Sequence, residues 1–280
     1  MKKPLFLLSL LTAAVALTGN PAHAALTIAP GDLLMGFYQV NSSGTGVAAN
    51  TYVYNLGGAS GYREGGSGQG VFANIGADLT TAFGAGWSSD GTVRVGVVGA
   101  VGSTDALTNG DPARTVYFSQ GFGAAPGDST ALTLSSSQRG SASTALKSFA
   151  EAMVGADVNG AVDGGSIYSA GDPGSFASFL PPTVTTHFGV GASPLTSMTG
   201  DTVGLDVYRV LHSTTGADLT AAYSAGDALV GSGQYIGSFT LATNGDIGFA
   251  GANAVPEPST GLLAGLGALF LSIRRRRKSA

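Results

Sequence analysis

Short runs of β-branched and aromatic residues, separated by glycine, asparagine, aspartate and serine, fill most of the chain from Asp32 onward. This punctuation is typical of short antiparallel strands joined by turns. We predict strands at residues 33–40, 51–56, 92–98, 114–119, 184–190, 205–211 and 235–241. Asn244-Gly245 follows the last of these and is a strong hairpin signal, so residues 247–250 should pair back onto it. The 45 glycines and the 11% of charged residues agree with a turn-rich β domain.

Helical signals are few. Residues 143–154 place Ala145, Phe149 and Met153 close to one face before Gly155, and a shorter helix is predicted at 78–83 with Asp78 as its N-cap. The segments 119–143 and 155–182 are rich in glycine, serine and proline and are predicted as exposed loops. Loops of that length are uncommon inside a domain, so strands hidden in one of them stay an alternative. We therefore predict one mainly β domain over residues 25–253, an antiparallel β-sandwich or jelly-roll-like fold with one or two short helices.

The charge of this domain differs from that of the chain ends. Between Ala25 and Ala254 there are six basic and sixteen acidic side chains, a net charge of −10. Such a surface repels a phosphate backbone, so nucleic acid is excluded as a partner. The chain has no cysteine, which excludes disulfides, thiolate metal sites and a cysteine nucleophile.

Residues 1–24 have the three parts of a secretory signal peptide. Lys2 and Lys3 precede an apolar stretch at 5–17, and a small-x-small site is formed by Ala22 and Ala24. We predict export by Sec-type secretion machinery and cleavage after Ala24 by signal peptidase. The alternative is a retained transmembrane helix, which the apolar stretch is too short to favour, because a bilayer needs about 20 residues.

The C-terminal residues 254–280 also have three parts. The sorting-motif residues are Val255, Pro256, Glu257 and Pro258, with Ser259 completing the segment. The two prolines fix φ and lack amide donors, so this segment stays extended and accessible to a protease. Residues 260–273 form an apolar segment that is predicted to be a transmembrane helix. A basic stop follows and holds the C-terminus in the cytoplasm; it consists of Arg274, Arg275, Arg276, Arg277 and Lys278.

This tail resembles the PEP-CTERM sorting domain of Gram-negative bacteria. The resemblance is limited to about the last 26 residues of the chain. It implies that an exosortase-like transpeptidase cuts near Pro256, Glu257 and Pro258 and passes the protein to the cell surface or to an extracellular polysaccharide matrix. The alternative is a permanent membrane anchor. Fourteen residues at 1.5 Å each reach only ~21 Å, short of the ~30 Å hydrocarbon core, so a transient anchor is the better interpretation.

Candidate metal and cofactor residues are isolated in the sequence. His187 and His212 lie in strand-like runs without the close spacing that a zinc site needs, and we interpret them as ordinary sheet residues. Residues 44–49 match a loose GxGxxA pattern, but a strand follows where a dinucleotide site needs a helix, so a hairpin loop is predicted. The oxygens of residues 157–163 resemble a calcium loop that lacks two ligand positions. We predict no cofactor and no metal site.

Candidate catalytic and sugar-binding residues are equally few. There is no Gly-x-Ser-x-Gly nucleophile elbow, and Asp206 alone among the acids lies squarely within a predicted strand. Trp87 with Tyr52, Tyr54 and Tyr62 can serve as a sugar platform, although core packing is the better default. We therefore predict a non-enzymatic surface or matrix protein. A carbohydrate-binding surface module is the alternative, and a polysaccharide-acting hydrolase is a second one.

Overall fold

A computed structural model describes residues 26–41, 46–64, 70–105, 108, 110–122, 125–130, 133–156, 164–179, 196–198, 202–212 and 231–252. The predicted signal peptide, the predicted strand at 184–190 and the whole C-terminal tail lie outside these ranges. No helix among the described residues is both long enough and apolar enough to cross a bilayer. The predicted tail helix at 260–273 lies outside the described residues.

Ten strands among the described residues share one antiparallel sheet. They are β1 (Asp32–Val40), β2 (Val47–Gly58), β3 (Gly70–Asn74), β4 (Val93–Ala100), β5 (Val116–Gly121), β6 (Gly165–Ser169), β7 (Thr196–Ser197), β8 (Thr202–Val210), β9 (Gly233–Ala242) and β10 (Asp246–Gly251). The hydrogen-bonded order is β3-β10-β9-β8-β5-β4-β1-β2-β6, and β7 pairs with β4. The prediction of a mainly antiparallel β fold is confirmed. The finer prediction of two stacked sheets is not what the described strands form, since they make one continuous curled sheet.

In the described ranges, helices and not a second sheet cover the two faces of this sheet. They are α1 (Ala59–Glu64), α2 (Gly76–Phe83), α3 (Ser136–Ala156) and α4 (Phe176–Phe179), with a short 3₁₀ turn at Trp87–Ser89. Helix α1 contacts β2 towards one end of the sheet and β9 and β10 towards the other. The sheet therefore curls around α1.

Alternation along the central strands creates two cores. In β1, Leu33, Met35 and Phe37 face the first core, on the side of α1 and α2, whereas Leu34 and Tyr38 face the second core, on the side of α3 and α4. Successive side chains of a strand point to opposite faces, and here both faces are apolar. Because both faces are apolar, the face of the second core also has to be covered, and the long helix α3 packs against it.

Helix α3 begins seven residues before the predicted start. Its N-cap is Ser135, whose Oγ accepts a hydrogen bond from the backbone N–H of Gln138 at 3.3 Å. The Gln138 side-chain oxygen in turn accepts from the Ser135 N–H at 2.8 Å. This reciprocal pair is a capping box. The prediction of a helix at 143–154 was therefore correct in kind and too short.

Other local predictions have mixed outcomes. The β9–β10 hairpin is confirmed, with Gly245 in the left-handed region at φ +90°. Asp78 is not an N-cap, because α2 begins after Ile75 and has no side-chain cap. The Asp78 carboxylate instead accepts a hydrogen bond from Tyr52 Oη at 2.8 Å. The predicted loops contain the first turns of α3, strand β6 and helix α4. Arg114 lies in a turn with φ +64° and not in a strand.

Candidate functional site

The sorting residues predicted from the sequence lie outside the described ranges. This holds for Ala22 and Ala24, for Val255, Pro256, Glu257 and Pro258, and for the basic stop from Arg274 to Lys278. The described fold nevertheless comes close to both ends. Leu26 is buried in the second core, and β10 ends at Gly251, four residues before Val255. The two predicted addresses thus flank the sheet domain directly.

A groove along α3 is a candidate binding site in the described part of the chain. Its volume is about 430 Å³. It lies between the second half of α3, the start of β1 and the end of β4. The apolar wall is formed by Ile28, Pro30, Leu34, Leu146 and Val154. Mostly apolar clefts of this size with a few polar groups are typical of small-ligand sites.

Charged side chains at the rim of this groove are held by hydrogen bonds. Lys147 Nζ donates to Asp105 at 2.6 Å and to Thr104 at 3.1 Å. The bond to Asp105 raises the pKa of Lys147, so the amine stays protonated and is unsuited to act as a nucleophile. Asp32 accepts from the Ala29 N–H at 2.8 Å and from Asn55 at 2.9 Å. These groups fix the groove walls, while the Glu151 carboxylate completes the rim.

A buried ionic cluster holds one end of the first core. The Asp111 carboxylate, 2% exposed, forms ion pairs with Arg63 at 2.8 Å and with the fully buried Arg209. Its other oxygen accepts from Tyr117 Oη at 2.6 Å. Burial, and then the Asp111 charge, raise the pKa of Tyr117 well above its usual range, so the phenol stays neutral. All four groups are engaged with one another, which indicates a structural role.

Asp206 lies in β8, as predicted, and is fully buried. Its carboxylate accepts from the Gly127 N–H at 2.8 Å, from both the N–H and the hydroxyl of Ser129, and from the Ser238 hydroxyl. Each carboxylate oxygen therefore accepts two hydrogen bonds, which is as many as it can usually accept. Asp206 therefore ties the 125–130 segment to the sheet, and its oxygens are not available to a substrate.

The aromatic candidates pack in the interior, as the default interpretation had it. Trp87, Tyr52 and Tyr62 are between 1% and 7% exposed and belong to the first core, and Tyr54 packs against it partly buried. Phe72, on β3, is the most exposed aromatic ring among the described residues at 38%. A row of exposed rings for sugar stacking is absent from that part of the chain.

The remaining candidates divide between described and undescribed segments. Of residues 44–49, 44 and 45 lie outside the described ranges. Residues 46–49 lead into β2, which pairs antiparallel with β1, so the two strands form a hairpin in place of a dinucleotide turn. His187 and residues 157–163 lie outside the described ranges. Within those ranges no three His, Asp or Glu side chains come together in a way that would hold a metal ion.

A basic cluster formed by Arg114, Arg139 and His212 was not predicted from the sequence. Arg114 Nη1 lies 3.4 Å from His212 Nε2. Partial burial lowers the pKa of His212, and the charges of Arg139 and Arg114 lower it further. Arg139 lies in α3, Arg114 in the turn before β5 and His212 in the bend that follows β8. No spacing rule joins positions so far apart in the chain.

Comparisons with known proteins identify only the tail. A family model described as the PEP-CTERM protein-sorting motif matches residues 254–277. No curated protein and no solved structure matches the chain. The match spans the predicted motif, the apolar segment and most of the basic stop, in the predicted order. The chain therefore carries a C-terminal PEP-CTERM sorting motif, which marks an exported protein that is targeted to an exosortase and anchored transiently by this tail.

Proposed function

We propose that the protein is a non-enzymatic component of the cell surface or of an extracellular polysaccharide matrix. The observation that carries the proposal is the PEP-CTERM motif at residues 254–277. In this proposal Sec-type machinery exports the chain, signal peptidase cuts after Ala24, and an exosortase-like transpeptidase processes the tail. The sheet domain is the part delivered.

The physical properties of the tail explain a transient stay in the membrane. An apolar segment of fourteen residues spans ~21 Å as a helix, which is shorter than the ~30 Å hydrocarbon core. The five cations that follow oppose translocation of the C-terminus. The extended segment with Pro256 and Pro258 is left on the far side, where a protease reaches it.

The chemistry of the described domain supports a binding or structural role over catalysis. The buried acids Asp111 and Asp206 are saturated by neighbouring donors. At the α3 groove Lys147 is held in its charged form by Asp105. A hydrolase needs a carboxyl group free to exchange a proton with substrate, and Asp32 and Asp105 are both used as hydrogen-bond acceptors by the protein itself.

The experiment that tests the sorting part replaces Pro256, Glu257 and Pro258 with alanine in the native host. We expect the unprocessed protein to accumulate in the inner membrane. Exchange of Arg274–Arg277 for lysines is the matched control, because it preserves the charge of the stop and should leave processing intact. Unchanged maturation of the triple-alanine variant would refute the assignment.

The non-enzymatic part is tested separately with the exported protein. It should turn over none of a panel of polysaccharides and peptides. Release of reducing sugar or of new peptide termini that is lost in Glu151→Gln would instead establish the hydrolase alternative at the α3 groove, where Glu151, Asp32 and Asp105 line one cleft. Arg94→Gln is a control outside that cleft.

A carbohydrate-binding module is the second candidate function, and the α3 groove is the observation that favours a binding role. Its apolar wall and charged rim offer both packing surface and hydrogen-bonding groups to a bound ligand. Binding of a neutral oligosaccharide that is abolished by filling the groove with Ala150→Trp would support this candidate. Binding that survives the substitution would place the sugar elsewhere.

A further inference from the structure

The carboxylates at the rim of the α3 groove are only partly neutralised. Among the described residues that line the groove, Lys147 is the only basic one, and Asp105 already pairs with it. The other two acids of the rim, Asp32 and Glu151, form no ion pair within the described ranges. Asp32 accepts there only from neutral donors, a backbone N–H and a side-chain amide. Two negative charges at the rim therefore lack a cationic partner.

One hydrogen-bond donor is also left over at the same rim. A lysine ammonium group has three protons, and Lys147 gives two of them, to Asp105 at 2.6 Å and to Thr104 at 3.1 Å. Its third proton has no acceptor in the described part of the chain, and the side chain is 36% exposed, so a ligand can reach it. Glu151 is exposed one helical turn further along α3, on the same helix face. An available donor and an unpaired carboxylate thus lie side by side.

Apolar surface for a chain lies in the same groove. Leu34 and Leu146 line it and are only 2% and 4% exposed, whereas Val154, which also lines it, is 48% exposed. An exposed apolar side chain beside an apolar groove is surface that a bound ligand can cover. The groove therefore offers packing to an apolar chain and charged partners to a polar head group.

The groove lies at the end of the sheet from which both chain ends leave. It is built by the start of β1 and the end of β4. Five antiparallel pairings separate β1 from β10, so β10 ends where β1 begins. The eight residues between Gly251 and the apolar segment at 260–273 reach at most ~30 Å. While the tail is anchored, this end of the sheet is therefore held close to the membrane.

We propose that the α3 groove binds a zwitterionic aminophospholipid of that membrane, with one acyl chain against the apolar wall. The lipid ammonium group pairs with Glu151 and Asp32, and a phosphate oxygen accepts the third proton of Lys147. Charge-assisted hydrogen bonds of this kind are stronger than neutral ones. A lipid with the phosphate alone would add a negative charge beside two unpaired carboxylates. The inference rests on the export part of the proposed function, but lipid binding can fail while tail processing stays intact, so the two failures are distinguishable.

The test is calorimetric titration, at low ionic strength, of the protein recovered from its host. Three probes are used below their micelle concentrations. Lauroyl-lysophosphatidylethanolamine has the chain, the phosphate and the ammonium group, and lauroyl-lysophosphatidylglycerol lacks the ammonium group. Glycerophosphoethanolamine has the ethanolamine head group without a chain. We expect the ethanolamine lipid to bind, the glycerol lipid to bind at least about tenfold more weakly, and the chainless head group not to bind.

Two variants locate the site, and a third is the control. Glu151→Gln keeps the size of an exposed side chain and removes its charge, so it should weaken binding of the ethanolamine lipid about tenfold without weakening that of the glycerol lipid. Ala150→Trp fills the groove and should abolish binding of the ethanolamine lipid. Asp246→Asn removes a carboxylate at the start of β10, at the opposite end of the sheet, and should leave the affinity unchanged.

Several results would overturn the proposal. They are absence of binding by the ethanolamine lipid, equal binding of the two lipids, and equal affinity of wild type and Glu151→Gln for the ethanolamine lipid. Binding that survives Ala150→Trp would place the chain elsewhere, and tight binding of glycerophosphoethanolamine would show that the apolar wall contributes nothing. If circular dichroism shows that Ala150→Trp does not fold, the comparison of the two lipids on wild type and Glu151→Gln decides alone.

Discussion

Replacement of Asp111 by asparagine tests the energetic importance of the buried ionic cluster. Asp111 is 2% exposed and supplies the negative charge that Arg63 and the fully buried Arg209 share. Removal of one partner from a buried ion pair costs ~3–5 kcal/mol, because the remaining charge stays desolvated. The Tyr117 hydroxyl also loses a charged acceptor at 2.6 Å. Since domains are stable by only ~5–15 kcal/mol, we expect Asp111→Asn to lose a large part of the free energy of unfolding.

Asp105→Asn is the matched control. Asp105 also pairs with a cation at 2.6 Å, but Lys147 is 36% exposed, and exposed pairs contribute only ~0–1 kcal/mol. The assay is urea unfolding followed by fluorescence of Trp87, the single tryptophan, which is 3% exposed when folded. Comparable losses in the two variants would refute the reasoning that burial decides the energy of these ion pairs.

Four further predictions concern packing and pH. Gly140→Ala should raise the free energy of unfolding by ~0.5–1 kcal/mol, because alanine favours a helix interior over glycine and its methyl would meet no atom within 4 Å beyond the adjoining helix backbone. Gly36→Ala should lower the free energy of unfolding by ~1–3 kcal/mol, because its Cβ would lie 2.1 Å from the Phe176 ring. Burial raises the pKa of Tyr38 to about 12, so this phenol loses its proton at a lower pH in the unfolded protein than in the folded one. The free energy of unfolding should therefore fall as pH rises above 10. Tyrosinate absorbance should appear together with unfolding. The pKa of His212 is lowered by burial and by the neighbouring arginines, so the free energy of unfolding should fall as pH falls below 6.5. Denaturation curves of His212→Gln should lose that pH dependence. Those of the control variant His187→Gln should keep it.

The strands that could be predicted from the sequence are those whose residues are buried on both faces. β1, β4, β8 and β9 are rich in Val, Leu, Ile or aromatic residues, because the sheet buries both of their faces. The edge strand β3 has an exposed, weakly apolar sequence, GVFAN, and β6 is a five-residue GSIYS in a glycine-rich region. Such strands form because they can hydrogen-bond to the backbone of a neighbouring strand. The local sequence pattern does not show that this neighbour is present.

The predicted number of sheets and the predicted start of α3 were wrong for different reasons. A two-sheet sandwich and one curled sheet with helices on both faces place the same alternating residues in similar environments. Serines 135–137 were interpreted as a loop because serine and Gly140 are poor helix formers. The Ser135 and Gln138 pair was nevertheless a capping-box signal in the sequence.

The candidate sites depend on contacts between distant positions. Arg114 meets His212 across 98 residues, and Arg63 meets Asp111 across 48. Sequence reasoning finds sites whose ligands are spaced on one helix or loop, and these are not of that kind. The sorting tail could be recognised because its three parts act in order along the chain.

The most direct test of the account is the intact mass and the cellular location of the protein recovered from its native host. We predict a chain that begins at Ala25, lacks Arg274–Lys278 and is recovered from the envelope or the extracellular matrix. A full-length chain that still carries Arg274–Lys278 and is recovered free in the cytosol would contradict it.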